Sequence, residues 1–224
     1  MYGLIFDCDG VLGDTEGPVC EASIRAFQEM YGVEMKQADF APFIGTGSVR
    51  YAEGPAAAYG LRIDTEAVLD RVHGYFEEII TSGRDISFPG VNDLIAAVHA
   101  EPDWKLAIAT SSPKCKSQQT LVAAGIDMSK FAVYVNGDMV THKKPDPEIY
   151  LTTAGKLGLD PGRCVVIEDA INGVEAAKAA GMRVIGVTTS FGAAQLAQAD
   201  HVVASLEAVN LALLHSLLNG HGKH

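Results

Sequence analysis

Six short apolar segments recur along the chain, and stretches with helical character lie between most of them. Their sequences are YGLIF (2–6), KLAIAT (105–110), FAVYVN (131–136), CVVIED (164–169), RVIGVT (183–188) and a weaker HVVA (201–204). Apolar residues that follow one another without alternation are typical of strands covered on both faces, as in parallel sheets. The pattern therefore predicts an α/β fold with a doubly wound, mainly parallel sheet of the Rossmann-like type.

The helices between these strands carry end signals. Asp146 and Pro147 are expected to be the N-cap and the first-turn proline of one helix, and Gly158 is expected to end it. In the next helix, Asn172 and Glu175 have the spacing of a capping box.

One region interrupts the alternation of strand and helix. From about 15 to 84 the sequence contains only helix-like pieces, such as PVCEASIRAFQEMYG and EAVLDRVHGYFEEII. About seventy residues between the first two strands are too many for a simple crossover helix, so we predict an inserted helical cap with two hinge segments. The expected division is a Rossmann-like core at 1–14 and 86–218, a cap at 15–85 and a flexible tail at 219–224.

Charge and cysteine content bear on partners and compartment. The net charge of −11 argues against nucleic acid and anionic membranes as partners, because like charges repel. No apolar stretch approaches the roughly 20 residues that cross a bilayer, and the first residues lack the layout of a signal peptide. The four cysteines are scattered, without a C-x-x-C or zinc spacing. We expect reduced thiols and a cytoplasmic protein.

Acidic side chains occur where predicted strands end. Asp7 and Asp9 follow the first strand, Glu168 and Asp169 close the fourth, and Thr110 closes the second. In a parallel sheet the carboxyl ends of the strands line the ligand crevice, so we expect these residues to meet at one edge. Carboxylates gathered in this way are unfavourable unless a cation offsets their charge. Ligation by oxygen alone, without histidine or cysteine, indicates a hard ion, Mg²⁺ before others.

Four motifs resemble those of a known superfamily. DCDGVLGDTE, ATSS, the lysine of KKPDPEIY and VVIEDAINGVEAAKAAGM are similar in order and spacing to the motifs of the haloacid dehalogenase-like hydrolases. The resemblance is to the β-phosphoglucomutase-like group of phosphatases and mutases, whose helical cap lies between the first two motifs. It extends over essentially the whole chain, and four motifs in order are far more specific than one.

The resemblance implies a role for each motif residue. Asp7 is expected to be the nucleophile that forms an aspartyl-phosphate, and Asp9 to be the general acid and then the general base. Thr110 is expected to hydrogen-bond the phosphoryl oxygens, helped by backbone N–H groups near Ser111, and Lys144 to neutralise the phosphoryl group. The implied Mg²⁺ ligands are the carboxylates of Asp7 and Asp169, the backbone carbonyl of Asp9, and Glu168 directly or through water.

Simpler uses of the acidic residues stay open at this point. Asp7 and Asp9 could end a strand in an Asx turn, and Glu168 and Asp169 could cap the helix that follows them.

Alternatives also exist for the second and third motifs. Thr110 could cap the next helix, which would leave Ser111 or Ser112 as the phosphate contact. Lys143 competes with Lys144, although the resemblance places the lysine directly before the proline.

The cap contains a glycine-rich segment, FIGTGSVRYAEG (43–54). If it is a loop over the active site, it offers backbone N–H groups and one cation. Gly45 and Arg50 therefore join Ser111 as predicted substrate contacts. The alternative is a glycine turn between two cap helices.

Taken together, these features predict a Mg²⁺-dependent phosphatase that hydrolyses a small phosphorylated metabolite, as a monomer or weak homodimer. The alternative is a phosphosugar mutase of the β-phosphoglucomutase type with the same nucleophile. Such mutases carry a histidine shortly after the first motif and cations in the cap. Here the first position falls near Val19 and the cap helix offers Phe76 and Glu77, which favours the phosphatase.

Overall fold

The computed structural model describes residues 1–44 and 47–219 and contains a six-stranded sheet. The strands are β1 (Tyr2–Phe6), β2 (Trp104–Ala109), β3 (Phe131–Val135), β4 (Cys164–Glu168), β5 (Arg183–Val187) and β6 (His201–Val203). Their order in the sheet is β3-β2-β1-β4-β5-β6, and every neighbouring pair is parallel. The predicted α/β, doubly wound, Rossmann-like fold is therefore confirmed.

The first strand lies at the centre of the sheet. Phe6, its last residue, is level with Ile108 of β2 on one side and with Ile167 of β4 on the other. The chain builds the sheet outward from β1 in one direction through β2 and β3, and in the other through β4 to β6. Ligands of open α/β sheets bind outside the carboxyl ends of the strands at such a reversal.

Nine helices occur in the described residues. They are α1 (Glu16–Tyr31), α2 (Gln37–Phe40), α3 (Ser48–Ala58), α4 (Thr65–Thr81), α5 (Val91–His99), α6 (Lys114–Ala123), α7 (Glu148–Leu157), α8 (Ile171–Ala179) and α9 (Leu211–Asn219). Among these, no helix combines the length and the apolar character needed to cross a lipid bilayer.

The predicted helix ends are confirmed in part. Gly158 ends α7 in the left-handed region, as predicted. The predicted start is wrong by one residue, because Pro147 is the N-cap and the helix begins at Glu148, whose backbone N–H donates to the Asp146 carboxylate. The capping box at Asn172 is wrong, because α8 already begins at Ile171. Asn172 thus lies inside the first turn, where its own backbone is helical and the N-cap position is no longer available to it.

The chain divides into two compact units, Met1–Asp14 with Asp85–His224, and Thr15–Arg84. The first unit contains the sheet, and its core includes fully buried residues of β1, β4 and β5 such as Ile5, Val166 and Val184. Of the predicted tail, only Asn219 is described, and it closes α9; 220–224 lie outside the described residues.

The second unit, Thr15–Arg84, contains only helices among its described residues, α1 to α4. Its apolar core is built around Phe27 of α1 and Phe40 of α2, whose ring centroids lie 6.2 Å apart. Met30 and Tyr31 pack against the same core as partly buried residues. The unit therefore has a hydrophobic core of its own, as the apolar face of α1 requires.

Asp200, just before β6, joins α8 to the start of β5 in the first unit. Its carboxylate accepts two hydrogen bonds of 2.8 Å from Lys178, one of 2.9 Å from Arg183 and one of 2.8 Å from the backbone N–H of Val184. Burial raises the pKa of Asp200, but these hydrogen bonds outweigh it and hold the pKa below its ordinary value.

We expect Asp200→Asn to lower the free energy of unfolding by about 1–2 kcal/mol at pH 7, since a partly exposed ionic cluster is screened by water. A depressed carboxyl pKa contributes stability above the pKa of the unfolded chain and loses it as the pH falls through the folded pKa. The difference between wild type and variant, measured by urea unfolding, should therefore shrink between about pH 5 and pH 3. The exposed Asp103→Asn is the control, and equal effects of both variants would contradict the assignment.

Candidate active site

The candidate site is centred on Asp7, the residue directly after β1. Its side chain is buried, with 8% of the residue exposed, and its backbone N–H donates to the carbonyl of Ile167 in β4. The Lys144 ammonium lies 2.6 Å from Asp7 Oδ1 and also 2.6 Å from Glu168 Oε1. A third contact, to the carbonyl of Ala109, is 3.3 Å long. Lys144 thus connects the ends of the three central strands.

Glu168 is the most enclosed carboxylate of the site, with 1% of the residue exposed. Besides Lys144, its Oε1 accepts a 2.7 Å hydrogen bond from the hydroxyl of Tyr150, which is fully buried in α7. Its Oε2 accepts the backbone N–H groups of Asp169 and Ala170, both at 3.1 Å. Both oxygens of Glu168 therefore accept hydrogen bonds from the protein. Its main partners, Lys144 and Tyr150, show that it does more than cap the helix that follows.

Asp169 is held on the other side of the site. Ser190, in the loop after β5, donates to Asp169 Oδ2. Gly10, with a φ of +79°, lies so close that a β-carbon there would be 1.9 Å from the same oxygen. Thr189 donates to the Gly10 carbonyl and fixes this turn. Glycine is required at position 10 for both its backbone conformation and its close approach to Asp169.

Burial and mutual repulsion perturb these carboxyl groups. Burial raises the pKa of Asp7 to about 7 against the opposing effect of Lys144, and Glu168 and Asp9 add to the rise. Burial, then Glu168 and Asp7, also raise the pKa of Asp169 well above its usual range. Burial disfavours the charged form of Lys144, but Asp7 and Glu168 outweigh it, so its pKa is raised. The site holds more negative charge than one lysine neutralises.

This donor set fits a hard cation. Oxygen atoms of Asp7, Glu168 and Asp169 all lie within 4.8 Å of one another, so the three residues could hold a metal ion. The donors are carboxylate oxygens, which Mg²⁺ and Ca²⁺ prefer over softer ions. Burial and then mutual repulsion raise the pKa of Asp7 and of Asp169, and a cation would offset the repulsion.

Asp9 lies beside this cluster, and the segment after β2 contacts it. The Ser112 hydroxyl donates to Asp9 Oδ2 at 2.6 Å, and the Lys116 ammonium in α6 lies 3.3 Å from Asp9 Oδ1. The Asp9 side chain is 25% exposed, unlike the enclosed Asp7. Asp9 is thus the more accessible of the two motif aspartates.

Thr110 and Ser111 follow β2 at the same edge of the sheet. Thr110 is 1% exposed, and its Oγ1 accepts the backbone N–H of Ser112 at 3.1 Å. It does not cap α6, which begins at Lys114 with Pro113 in the N-cap position. The Ser111 hydroxyl is buried and has no hydrogen-bond partner within the described residues. A buried hydroxyl without a partner is unfavourable, so a ligand oxygen would stabilise it.

The predictions for the third motif and for the glycine-rich segment of the cap have different outcomes. Lys144, not the exposed Lys143, contacts the carboxylates. Arg50 is exposed in the first turn of α3. A loop through 43–54 is therefore wrong from Ser48 onwards, because the segment after Gly47 has good helix formers and continues as a helix. Gly45 lies outside the described residues.

Three residues of the site were not predicted from the sequence, namely Lys116, Tyr150 and Ser190. Tyr150 stands six positions after Lys144, in the quoted KKPDPEIY motif, and is the one that a motif-based search could have found. Lys116 and Ser190 lie outside the four motifs, and no sequence signal marks them.

The all-parallel sheet and the lysine-bridged carboxylates at its edge define an α/β enzyme with a carboxylate centre. The chain belongs to the haloacid dehalogenase-like hydrolase family, whose family model matches residues 2–181. The resemblance found in the sequence is therefore confirmed.

Two curated relatives and one solved structure place the chain within the family. A phosphorylated carbohydrates phosphatase of Thermotoga maritima is 36% identical over 196 residues, which cover 85% of this chain and 87% of the relative. Protein SUPPRESSOR OF QUENCHING 1, chloroplastic, of Arabidopsis thaliana is 35% identical over 222 residues, 98% of this chain but only 21% of that protein. A structure from T. maritima, described as a candidate β-phosphoglucomutase, is 33% identical with a TM-score of 0.80, covering 97% of this chain and 100% of that one.

Proposed function

We propose that the chain is a Mg²⁺-dependent phosphatase that hydrolyses a small phosphorylated metabolite, of the phosphorylated sugar class, through an aspartyl-phosphate on Asp7. The observation that carries the proposal is the buried Asp7 carboxylate at the end of the central strand, paired with Lys144 at 2.6 Å. A carboxylate there can attack without a separate base, and the lysine places a positive charge where a phosphoryl group would arrive.

In the first step, a carboxylate oxygen of Asp7 attacks phosphorus. The bond from Asp7 oxygen to phosphorus forms while the ester oxygen–phosphorus bond breaks, and Asp9 donates a proton to the departing alcohol oxygen. Lys144 offsets charge on the phosphoryl oxygens. Hydrogen bonds from the segment of Thr110 and Ser111 would orient those oxygens, and the Ser111 hydroxyl, buried without a partner in the described residues, supports this placement.

In the second step, Asp9 takes a proton from water, and the water oxygen attacks phosphorus. The bond from phosphorus to Asp7 oxygen breaks, which restores the Asp7 carboxylate and releases inorganic phosphate. Asp9 thereby regains the proton that it gave to the alcohol, so the cycle balances.

The Asp7 and Asp169 carboxylates and the Asp9 backbone carbonyl would hold Mg²⁺, with Glu168 acting directly or through water. When bound, the ion offsets negative charge on the phosphoryl oxygens. The fit of the acidic cluster supports this assignment. Because Glu168 already accepts hydrogen bonds from Lys144, Tyr150 and two backbone N–H groups, we assign it mainly to orienting Lys144.

The substrate class rests on relatives. The T. maritima relative is named a phosphorylated carbohydrates phosphatase, and the chain covers 87% of its length. Arg50 and Gly45 stay predicted substrate contacts.

The second candidate is a phosphosugar mutase, which the 33% identity to the candidate β-phosphoglucomutase structure favours. The two readings differ in the fate of the aspartyl-phosphate, since a mutase returns the phosphoryl group to a sugar. The apolar Val19, near the position where the mutases carry a histidine, favours hydrolysis.

The deciding experiment offers phosphorylated sugars, including β-glucose 1-phosphate, with Mg²⁺ and with or without a bisphosphate primer. We expect steady release of inorganic phosphate that needs no primer, measured alongside glucose 6-phosphate. Asp7→Asn provides the background rate. Primer-dependent formation of glucose 6-phosphate with little free phosphate would establish the mutase instead.

A further inference from the structure

We infer that Ser112 and Lys116 form a clamp that positions the Asp9 carboxylate for proton transfer to the leaving group. The inference rests on the proposed function, because it gives the proton donor of that reaction its orienting residues. Ser112 and Lys116 are positioning residues, which act on the substrate only through Asp9.

The need for a clamp follows from where Asp9 lies. It comes two residues after the nucleophile, past the end of β1 and directly before the turn at Gly10. The strand ladder therefore does not fix its side chain, which is 25% exposed. An acid that must reach one oxygen of the substrate loses efficiency when its carboxylate rotates, and a misplacement of about 1 Å can cost 10²-fold in rate.

Ser112 fixes one carboxylate oxygen. Its hydroxyl donates to Asp9 Oδ2 at 2.6 Å, while its backbone N–H donates to Thr110 Oγ1 at 3.1 Å. Thr110 is in turn tied to β3 through its own backbone N–H, which donates to Val135. The contact to Asp9 therefore comes from a residue whose backbone is anchored to the rigid sheet.

Lys116 fixes the other oxygen. Its ammonium is 3.3 Å from Asp9 Oδ1, and its side chain is 28% exposed. It approaches from the first turn of α6, on the same segment as Ser112. A hydrogen bond to one oxygen and an ion pair with the other, both from one short segment, restrict rotation of the carboxylate more than either contact alone.

The clamp matters most for substrates with poor leaving groups. A leaving oxygen that is a weak base departs without help, whereas an alkoxide must be protonated as its bond to phosphorus breaks. The specificity constant kcat/KM covers the steps up to formation of the aspartyl-phosphate. It therefore isolates the step in which Asp9 acts as an acid from the later hydrolysis.

The experiment measures kcat/KM for a series of phenyl phosphates whose ring substituents carry no charge and whose leaving groups differ in basicity. One alkyl monophosphate completes the series. In Ser112→Ala and Lys116→Met we expect about a tenfold or larger loss for the alkyl phosphate, but less than about threefold for p-nitrophenyl phosphate. In both variants kcat/KM should therefore fall more steeply than in wild type as the basicity of the leaving group rises. Lys116→Arg and Ser112→Thr, which keep a donor, should restore most of the wild-type dependence.

Lys114→Met is the matched control, since it removes the same charge from an exposed position two residues earlier on α6. It should leave the series unchanged, and circular dichroism should show all variants folded. A uniform loss across the series in Ser112→Ala and Lys116→Met would overturn the clamp. So would a loss in Lys116→Met that appears only in KM, because Lys116 would then bind substrate. Asp7→Asn tests the proposed function separately: if it is inactive and the series is unchanged, only the clamp fails.

Discussion

Replacing Asp7 by asparagine is expected to lower kcat by at least about 10³-fold, because the amide cannot attack phosphorus. The fold should persist, since asparagine has nearly the same shape and Asp7 contributes repulsion as well as an ion pair. In metal-free protein the pKa of Asp7 lies near 7, raised chiefly by burial, so ionising it destabilises the folded state as the pH rises through that value. We therefore expect the melting temperature of Asp7→Asn to match or exceed that of wild type at pH 8.

Phosphate release with Mg²⁺ measures the loss of activity. Thermal melting in the presence of a chelator measures the change in stability. Asp103→Asn, an exposed change of the same chemistry, should leave both unaffected. Trapping with beryllium fluoride, which mimics an aspartyl-phosphate, should depend on Asp7. Turnover that survives in Asp7→Asn would rule out the covalent mechanism.

Replacing Asp169 by asparagine should abolish activity at ordinary Mg²⁺ concentrations, because a hard cation loses an anionic ligand. The direct readout is stability: Mg²⁺ should raise the melting temperature of wild type and have little effect on Asp169→Asn. Ser190→Ala, which removes a donor to Asp169, should raise the Mg²⁺ concentration needed for half-maximal stabilisation by about tenfold.

Chelator gives the complementary test of the metal. Burial, Glu168 and Asp7 raise the pKa of Asp169, so removing its charge should stabilise the metal-free protein towards high pH. Asp169→Asn should thus be more stable than wild type in chelator and less stable than wild type in Mg²⁺. Full wild-type activity in excess chelator would contradict the metal assignment altogether.

Much of this site could be anticipated because strand ends are visible in sequence. The apolar segments end at Phe6, Ala109 and Glu168 within a residue or so of the predicted limits, and a parallel sheet brings such ends together. Asp7, Thr110 and Asp169 therefore had to share one edge once the strands were parallel neighbours. Lys144, on a loop, was placed by the family resemblance and not by periodicity.

The rest depends on backbone paths that periodicity does not encode. Ser190 and Asp169 are 21 positions apart, and Ser112 and Asp9 are 103 apart, so their contacts exist only when each loop folds in one way. Sequence also could not reveal that Lys144, Tyr150 and two backbone N–H groups would share the Glu168 carboxylate. Local patterns predict elements well, but they do not predict which donors converge on one oxygen.

The position of the first strand at the centre of the sheet also constrains how the protein can be made. β1 leaves the ribosome before the other five strands, yet its pairing with β4 joins Gly3 to Cys164, about 160 residues later. The contiguous unit Thr15–Arg84, with its own core, is fully synthesised well before that partner exists. During translation β1 must therefore wait without either of its neighbouring strands, β2 and β4, while the unit inserted between β1 and β2 in the sequence can already fold.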